Sequence, residues 1–199
     1  MKMIGLCGGS GSGKSTVSLL ASGHNVFSVN TDEIYRMMTS YYSECVAAIH
    51  SAFGDSVVNA DGALNRTALA SIVFFNKDKH TLLNAIAHRF VLDEVRKIAS
   101  KAECEGFDAV LVDAPLLFES GFDKECDAVI AVVADTDIRI DRIIKRDGIT
   151  KEQAVARINA QLRDEELKQR ADFYIENNGD IKVTEISLCD IINKIIKQK

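Results

Sequence analysis

Proline, tryptophan and paired cysteines are scarce or absent in this chain of 199 residues. The sequence has one proline, no tryptophan and five cysteines, and it contains no Cys-x-x-Cys pair. An odd number of scattered cysteines indicates neither a disulfide framework nor a zinc site, and it favours a reducing cytoplasm. The ordinary composition excludes a collagen-like chain, and the scarcity of proline and of Gly-Ser runs leaves no segment typical of a linker.

Long hydrophobic runs are also missing. The longest, such as residues 128–134, fall short of the roughly 18 residues that a membrane helix needs. The first seven residues lead straight into a glycine-rich segment, which leaves no room for the apolar stretch of a secretory signal. A net charge of −5 argues against broad nucleic-acid binding, which depends on cationic surfaces. We therefore expect a folded cytoplasmic protein with neither membrane nor nucleic acid as partner.

Short apolar stretches alternate with longer segments of helical period along much of the chain. The predicted strands are Met3–Cys7, Asn25–Val29, Ala109–Val112, Ala128–Val133 and Phe173–Ile175. The predicted helices between and after them begin near Lys14, Thr31, Asp135, Thr150 and Val183. This alternation is typical of βαβ units, so we predict an α/β fold with a doubly wound parallel sheet of about five strands.

Residues 40–106 interrupt that alternation because they show helical periodicity and no convincing strand. Their apolar positions recur at intervals of three and four, at Leu82, Leu83, Ile86, Phe90, Val91, Val95, Ile98 and Ala102. We predict one unit over residues 1–199, with a core from 1–38 and 107–199 and a helical insertion at 40–106.

The segment that follows the first predicted strand carries the strongest motif. Residues 8–15 read Gly-Gly-Ser-Gly-Ser-Gly-Lys-Ser and satisfy G-x-x-x-x-G-K-[ST] between a strand and a helix. In such a loop the backbone of Gly11, Ser12 and Gly13 cradles phosphates, and Lys14 reaches the β- and γ-phosphates. The hydroxyl of Ser15 is a ligand for Mg²⁺, and Thr16 contacts the α-phosphate in this arrangement.

The motif predicts a P-loop NTPase-type fold that takes ATP and Mg²⁺. Guanine-specific switches commonly carry Asn-Lys-x-Asp and Asp-x-x-Gly. Residues 76–79 miss the first motif by one position, and the second does not occur in the chain. We therefore disfavour a GTPase.

Asp32 follows the second predicted strand, at the sheet edge where ligands bind in open α/β folds. If the second strand lies next to the first, as it commonly does, Asp32 lies near the γ-phosphate and can accept the proton of an attacking hydroxyl. Alternatively, Asp32 or Thr31 only caps the following helix, which this interpretation starts at Glu33. The sequence leaves both interpretations open.

The third predicted strand ends at Asp113 and is followed by the only proline. Asp113 resembles the metal-facing acid that ends such strands in P-loop proteins. The apolar segment that follows can line a pocket for a large acceptor, and we select Pro115, Leu116, Leu117 and Glu119 as candidate contacts. Ordinary burial of Leu116, Leu117 and Phe118 in the core is the alternative.

Positive charge is concentrated between residues 139 and 170, where nine Lys or Arg stand against six Asp or Glu. The predicted helix carries Arg139, Arg142 and Arg146 on one face and isoleucines on the other. Arginine suits bidentate phosphate contacts, so residues 139–170 are predicted to form a lid over ATP that excludes water. A solvated charged face is the alternative.

Together these motifs resemble the dephospho-coenzyme A kinase family. The landmarks are residues 8–16, Thr31–Arg36, Asp61–Arg66, Leu83–His88, Asp113–Glu119, Ala171–Asp172 and Asn177–Gly179. The resemblance implies ATP-dependent phosphorylation of the ribose 3′-hydroxyl of dephospho-coenzyme A, the last step in making coenzyme A. It also implies a core sheet, a helical acceptor domain and a lid.

The resemblance assigns roles to individual residues. Asp32 matches the family's general base, and Arg142 matches the lid arginine that contacts ATP. The segment from Pro115 to Glu119 matches one that holds the acceptor, and Arg66 and His88 match positions in the acceptor domain. We therefore expect Lys14, Asp32 and Arg142 to be catalytic.

Two departures from the family pattern stand beside these matches. The family usually has Asp-x-Asp after the second strand and His-Pro in the helical domain, where this chain has Asn30-Thr31-Asp32 and His88-Arg89. The presumed catalytic carboxylate is kept, but the first acid of the pair is absent. Two rival functions remain from sequence: a kinase for another small acceptor such as a nucleoside, and an ATP-driven switch that forms no phosphorylated product.

Overall fold

The computed structural model describes residues 1–197 and shows a five-stranded parallel sheet. The strands are β1 (Lys2–Cys7), β2 (Val26–Asn30), β3 (Ala109–Asp113), β4 (Ala128–Val133) and β5 (Phe173–Glu176). Their order in the sheet is β2-β3-β1-β4-β5. Strand β1 pairs in parallel with β3 on one side and with β4 on the other, so the strand that leads into the glycine-rich loop is central. The predicted α/β fold and its five strands are confirmed.

The expected neighbour of β2 is wrong, because β3 lies between β2 and β1. The side chains of β3 are buried along its whole length, whereas only Val26 and Val29 of β2 are buried. A continuous apolar run fits an interior parallel strand, and a run interrupted by Ser28 fits an edge. The residue composition of β2 and β3 therefore explains why β2 lies at the edge of the sheet, although the order of the strands along the chain suggests a different neighbour.

The helices of the described chain follow the strands in the predicted rhythm. They are α1 (Lys14–Ala21), α2 (Thr31–Met38), α3 (Glu44–Phe53), α4 (Arg66–Val73), α5 (Lys77–Cys104), α6 (Thr136–Asp147), α7 (Lys151–Asn159), α8 (Asp164–Arg170) and α9 (Ile181–Lys197). Helix α7 begins at a capping box formed by Thr150 and Gln153, which confirms a start near Thr150. Among residues 1–197 no helix is long and apolar enough to cross a membrane.

One face of the sheet is covered by α1 and α9. Val17 of α1 and Leu188 of α9 are fully buried in a cluster with Ile4 and Leu6 of β1 and Ile130 of β4. Alternate residues of a strand point to one face, so Ile4 and Leu6 share this cluster while Gly5 faces the other side. Packing of α1 against this central strand holds the start of the helix, and with it the preceding loop, in place.

The chain divides into two units, residues 1–29 with 99–197 and residues 30–98. The first, the core unit, contains the sheet. The second, the helical unit, has its own apolar cluster built on Val46, Ile49 and Leu69. Tyr35 and Met38 of α2 pack against that cluster, so α2 belongs to the helical unit. The boundaries between the units therefore fall at the end of β2 and within α5. The sequence-based division places them near residues 39 and 106.

Candidate active site

Residues 8–16, called the phosphate loop below, comprise the glycine-rich connection after β1 and the first three residues of α1. Gly11 and Gly13 have φ angles of 78° and 95°, in the left-handed region that other residues rarely adopt. A Cβ on Gly11 would lie 2.6 Å from the carbonyl oxygen of Arg139, so glycine is required there for space as well. The loop ends at the N-terminus of α1, where backbone N–H groups lack intrahelical partners and the helix dipole favours an anion.

Lys14 is the first residue of α1, and its ammonium contacts the acid at the end of β3. The Nζ of Lys14 donates to Oδ1 of Asp113 over 2.7 Å, and the Asp113 side chain is buried. Strands β1 and β3 are hydrogen-bonded neighbours, which brings the two ends together. The structure thus joins the phosphate-loop lysine to the acid that the sequence marked as metal-facing.

Arg142 of α6 reaches the phosphate loop from the side. Its Nη1 donates to the carbonyl oxygens of Gly11 and Ser12 over 3.2 and 3.4 Å. Its Nη2 donates to the carbonyl oxygen of Asn177 over 2.9 Å. The guanidinium is therefore held by backbone oxygens next to the loop, with a full positive charge beside the expected phosphates.

Asn177 begins one of the family landmarks, but the sequence analysis assigned it no role in the site. Its Nδ2 donates to the carbonyl oxygen of Ser12 over 2.8 Å, and its Oδ1 accepts from Thr184 of α9. Its side chain occupies the space that a Cβ on Gly13 would need. The signal that could have found it is its position, since it follows β5 at the carboxyl edge of the sheet.

The arginine face of α6 is divided between the loop and solvent. Arg139 is buried and contacts the loop at Ser10, whereas Arg146 forms an exposed pair with Asp147. Isoleucines on the opposite face, Ile140 and Ile143, are buried against α7. The predicted division into two faces is confirmed. The alternative of a solvated face fits Arg146 but is wrong for Arg139.

The segment after β3 lies against the phosphate loop. A cavity of about 80 Å³ is lined by Gly8 and Gly9 of the loop and by Pro115 to Glu119. Pro115, Leu116 and Glu119 are exposed, so they are accessible to an acceptor. Leu117 is fully buried and occupies the space beside Gly5, which makes it a support beneath this surface. Burial, the alternative for this segment, is correct for Leu117 and Phe118 and wrong for Leu116, and the acceptor contacts stay a prediction.

Asp32 lies in the first turn of α2 and is exposed. The helix begins at Thr31 and its cap is Asn30, whose Oδ1 accepts from the backbone N–H of Glu33 over 3.1 Å. The interpretation in which Asp32 or Thr31 caps a helix from Glu33 is therefore wrong, and the Asp32 carboxylate is not used as the cap. Asparagine and aspartate cap helices about equally well, so the departure at Asn30 keeps the cap and loses only a charge.

The helical unit also contains Arg66 and His88. Nη2 of Arg66 donates to the Oγ1 of buried Thr39 over 2.8 Å, at the C-terminal end of α2. A cation there interacts favourably with the helix dipole. Burial lowers the pKa of His88, a residue of α5, and so favours its neutral imidazole. Arg66 thus supports the helix that carries Asp32, and His88 offers a neutral imidazole.

Cys7 is the last residue of β1 and directly precedes the phosphate loop. Burial raises the pKa of its thiol to about 12, and the nearby Lys14 ammonium only partly opposes that effect. A thiol with so high a pKa is not a nucleophile at neutral pH. The structure therefore supports packing rather than catalysis for Cys7.

Magnesium fits the oxygen groups of this site. Mg²⁺ is usually held by one or two protein ligands together with substrate phosphates and water. Within residues 1–197 no group of three or more His, Cys, Asp or Glu side chains forms a metal cage. The Ser15 hydroxyl and the Asp113 carboxylate are oxygen ligands of the kind that suits a magnesium ion bound mainly through phosphates. The hydroxyl of Ser12, buried without a hydrogen-bond partner among the described residues, adds a polar group in the loop.

A central parallel strand, a phosphate loop, an acid on the neighbouring strand and arginines from a following helix together define a P-loop nucleoside triphosphate-binding protein. Among solved structures, shikimate kinase from Bacteroides thetaiotaomicron shares the fold, with a TM-score of 0.55 at 13% identity over 98% of each chain.

Closer similarities fix the family. The sequence model of dephospho-CoA kinase matches residues 2–183, so the chain belongs to the dephospho-CoA kinase family. It is 33% identical to the dephospho-CoA kinase of Corynebacterium glutamicum and 34% identical to that of Listeria monocytogenes. In both cases the alignment spans 100% of this chain and 99% of the relative.

Solved structures agree with this assignment. The dephospho-CoA kinase of Campylobacter jejuni has a TM-score of 0.67 at 26% identity, over 98% of this chain and 97% of the other. A Thermus thermophilus protein has a TM-score of 0.81 at 28% identity over 97% of each chain. The enzyme class is therefore that of an ATP-dependent kinase of coenzyme A biosynthesis, as the resemblance implied.

Proposed function

We propose that this chain binds Mg·ATP at the phosphate loop and transfers the γ-phosphoryl group to the ribose 3′-hydroxyl of dephospho-coenzyme A. One observation carries the residue assignments for the ATP side. The phosphate loop, Asp113 and Arg142 converge within the core unit, with Lys14 Nζ 2.7 Å from Asp113 and Arg142 bonded to the loop carbonyls. This is the set of groups that phosphoryl transfer needs for binding and charge stabilisation.

On the ATP side, the backbone of Gly11, Ser12 and Gly13 surrounds the phosphates, and Thr16 contacts the α-phosphate. Lys14 contacts the β- and γ-phosphates, exchanging part of its bond with Asp113 for phosphate oxygens. Arg142 stabilises the negative charge that spreads over the equatorial oxygens during transfer. Its bonds to loop carbonyls support this role because they hold the guanidinium beside the loop in advance.

Magnesium, when bound, neutralises phosphate charge and aligns the phosphates for transfer. Ser15 and Asp113 are the residues that hold it in this proposal. The Ser15 hydroxyl is exposed at the first turn of α1, so it is accessible to a ligand.

The candidate contacts for the acceptor in this proposal are the residues that the family resemblance selected. Pro115, Leu116 and Glu119 supply an exposed surface on the segment after β3, and Leu117 supports it from below. From the helical unit, Arg66 supplies positive charge for the anionic acceptor and His88 supplies a neutral imidazole.

Asp32 is the general base. Its carboxylate accepts the proton of the 3′-hydroxyl as that oxygen bonds to the γ-phosphorus, while the bond from phosphorus to the β,γ-bridging oxygen breaks and ADP leaves. Two features support the role. Asp32 follows β2 by only two residues, and its carboxylate is exposed rather than used as a helix cap. General base catalysis of this kind contributes about 10²- to 10⁴-fold.

The test is mass spectrometry of the products formed from Mg·ATP and dephospho-coenzyme A, with adenosine, uridine and CMP as competing acceptors. Coenzyme A is the expected product. A phosphorylated nucleoside or nucleotide instead would keep the ATP site and overturn the acceptor assignment. Formation of ADP without a phosphorylated product would favour an ATP-driven switch. We place the activity in the cytoplasm because the five cysteines are free thiols, which fits a reducing compartment.

A further inference from the structure

The apex of the phosphate loop is bound on both sides by groups from the segment of residues 139–170. The backbone N–H of Ser10 donates to Oε1 of Gln161 over 2.8 Å. The carbonyl oxygen of the same residue accepts from Nε of Arg139 over 2.9 Å. Both backbone groups of Ser10 are therefore fixed by side chains that lie more than 120 positions later in the chain.

Arg139 is itself held in place. It is 3% exposed, and its Nη1 donates to Oδ1 of Asp164 in α8 over 2.7 Å. Removing a guanidinium and a carboxylate from water costs free energy that their attraction often does not exceed. The guanidinium of this pair is buried and the carboxylate is partly buried, so the pair is better explained by the geometry it imposes than by the stability it adds.

Gly9 marks the close approach of Arg139 to the loop. Nη2 of Arg139 occupies the space that a Cβ on Gly9 would need, and this atom is buried with no hydrogen-bond partner in the described chain. The backbone φ of Gly9 does not require glycine, since it lies outside the left-handed region. The guanidinium of Arg139 is thus the closest obstacle to a side chain at position 9.

We propose that Arg139, oriented by Asp164, is a positioning residue that acts with Gln161 to fix the apex of the phosphate loop for the β- and γ-phosphates of ATP. The inference rests on the proposed ATP site. The loop binds phosphate through backbone N–H groups, whose directions follow the path of the backbone at Ser10. A misplacement of about 1 Å at such a site can reduce the rate about 10²-fold.

The primary test replaces Arg139 by Gln. The expected result is an ATP dissociation constant, measured by calorimetry, that rises about tenfold with a similar rise in KM for ATP. The KM for dephospho-coenzyme A should change less than twofold, and the melting temperature should change little. The matched control is Arg163→Gln, which removes an exposed arginine from the same segment, where it pairs with Glu166. This control should leave ATP affinity unchanged.

The second test is a double-mutant cycle between positions 9 and 139. Gly9→Ala alone should weaken ATP binding by about as much as Arg139→Gln, because the new methyl group displaces the guanidinium. In the Arg139→Gln background the same substitution should have less than a twofold further effect, because the guanidinium is already gone. Asp164→Asn should give an intermediate loss, and it serves as the second variant if Arg139→Gln does not fold.

Three outcomes would overturn the positioning role. The first is an equal rise in the KM values for ATP and for dephospho-coenzyme A in Arg139→Gln, together with a lower melting temperature. The second is additivity of the Gly9→Ala and Arg139→Gln effects on ATP affinity. The third is an unchanged ATP affinity in Arg139→Gln. Failure of the proposed function can be told apart from failure of this inference. If the wild-type chain binds ATP but does not phosphorylate dephospho-coenzyme A, calorimetry still measures how each substitution changes ATP affinity. A wild-type chain that binds no ATP overturns both.

Discussion

The ammonium of Lys14 forms an ion pair with the carboxylate of Asp113, with 2.7 Å between Nζ and Oδ1 and 99 positions between the residues in the chain. Both side chains are largely removed from water, at 16% and 6% exposure. The pair joins the first turn of α1 to the end of β3. Because its lysine belongs to the phosphate loop, nucleotide binding and this ion pair compete for the same three N–H donors.

Lys14→Ala should lower turnover by at least 10²-fold, because it removes the positive charge that contacts the transferring phosphate. Steady-state kinetics with dephospho-coenzyme A measures the loss. The control is Lys2→Ala, which removes a lysine of β1 that pairs with Asp127 on the protein surface. That exposed pair should contribute at most about 1 kcal/mol to stability and nothing to turnover. Near-normal turnover of Lys14→Ala would contradict the phosphate role.

Asp32→Asn should also lower turnover by at least 10²-fold, with little change in ATP affinity, because the amide cannot accept the hydroxyl proton. Glu33→Gln is a matched control, since both acids lie in the first turn of α2 and are exposed. The control should retain most of the activity. If Asp32→Asn turned over at a near-normal rate, Asp32 would not be the base.

Arg170→Met should raise the KM for dephospho-coenzyme A by about two- to tenfold and leave the KM for ATP nearly unchanged. The guanidinium of Arg170 lies 4.1 Å from the ring centroid of Phe118, so it holds the segment that faces the acceptor. Lys168→Met is the matched control, because Lys168 makes the same kind of contact with a ring of β5, 4.7 Å from the centroid of Tyr174. Equal changes in both KM values would show that Arg170 does not act through this segment.

Cys7 should react with a thiol reagent such as DTNB at least 10²-fold more slowly than Cys104 in the native protein at pH 8. Cys104 is exposed, whereas a pKa of about 12 leaves roughly one in 10⁴ of the Cys7 thiols ionised. A Cys104→Ser variant should lose a fast phase and keep its activity. If DTNB inactivated the Cys104→Ser variant at the rate of a remaining fast phase of thiol reaction, the protection of Cys7 would be contradicted.

Stability should fall as the pH rises above 9. Burial raises the pKa of Cys7 and Cys126 to about 12 and that of Cys45 to about 11, from 9.0 in an unfolded chain. Between these values the unfolded state has lost protons that the folded state keeps, so the free energy of unfolding decreases with pH, by up to about 1.4 kcal/mol per unit for each thiol. Guanidinium unfolding from pH 8 to 10 measures this slope. It should be smaller in Cys126→Ala, and an unchanged slope there would contradict burial as the cause.

Apolar runs predicted the strands and the G-x-x-x-x-G-K-[ST] motif predicted the phosphate loop, because both signals lie in local sequence. The order of the strands and the partners of Arg139 depend on contacts between distant positions, which a single sequence does not encode locally. Arg139 and Arg146 have the same residue type and lie on the same predicted face, yet one is buried against Ser10 and the other is exposed. Likewise, the sequence marked Asp32 but could not show that Asn30 supplies the cap that frees it.

Asn177 links the phosphate loop to the C-terminal helix α9. Its Nδ2 donates to the carbonyl oxygen of Ser12, 165 positions earlier in the chain, and its Oδ1 accepts from the hydroxyl of Thr184. During synthesis the glycine-rich segment therefore leaves the ribosome long before the residue that completes its surroundings. Contacts of such sequence separation form late and slow folding. A nascent chain that stops before β5 should therefore lack nucleotide affinity, so ATP becomes a ligand only of the nearly finished polypeptide and stabilises it by mass action.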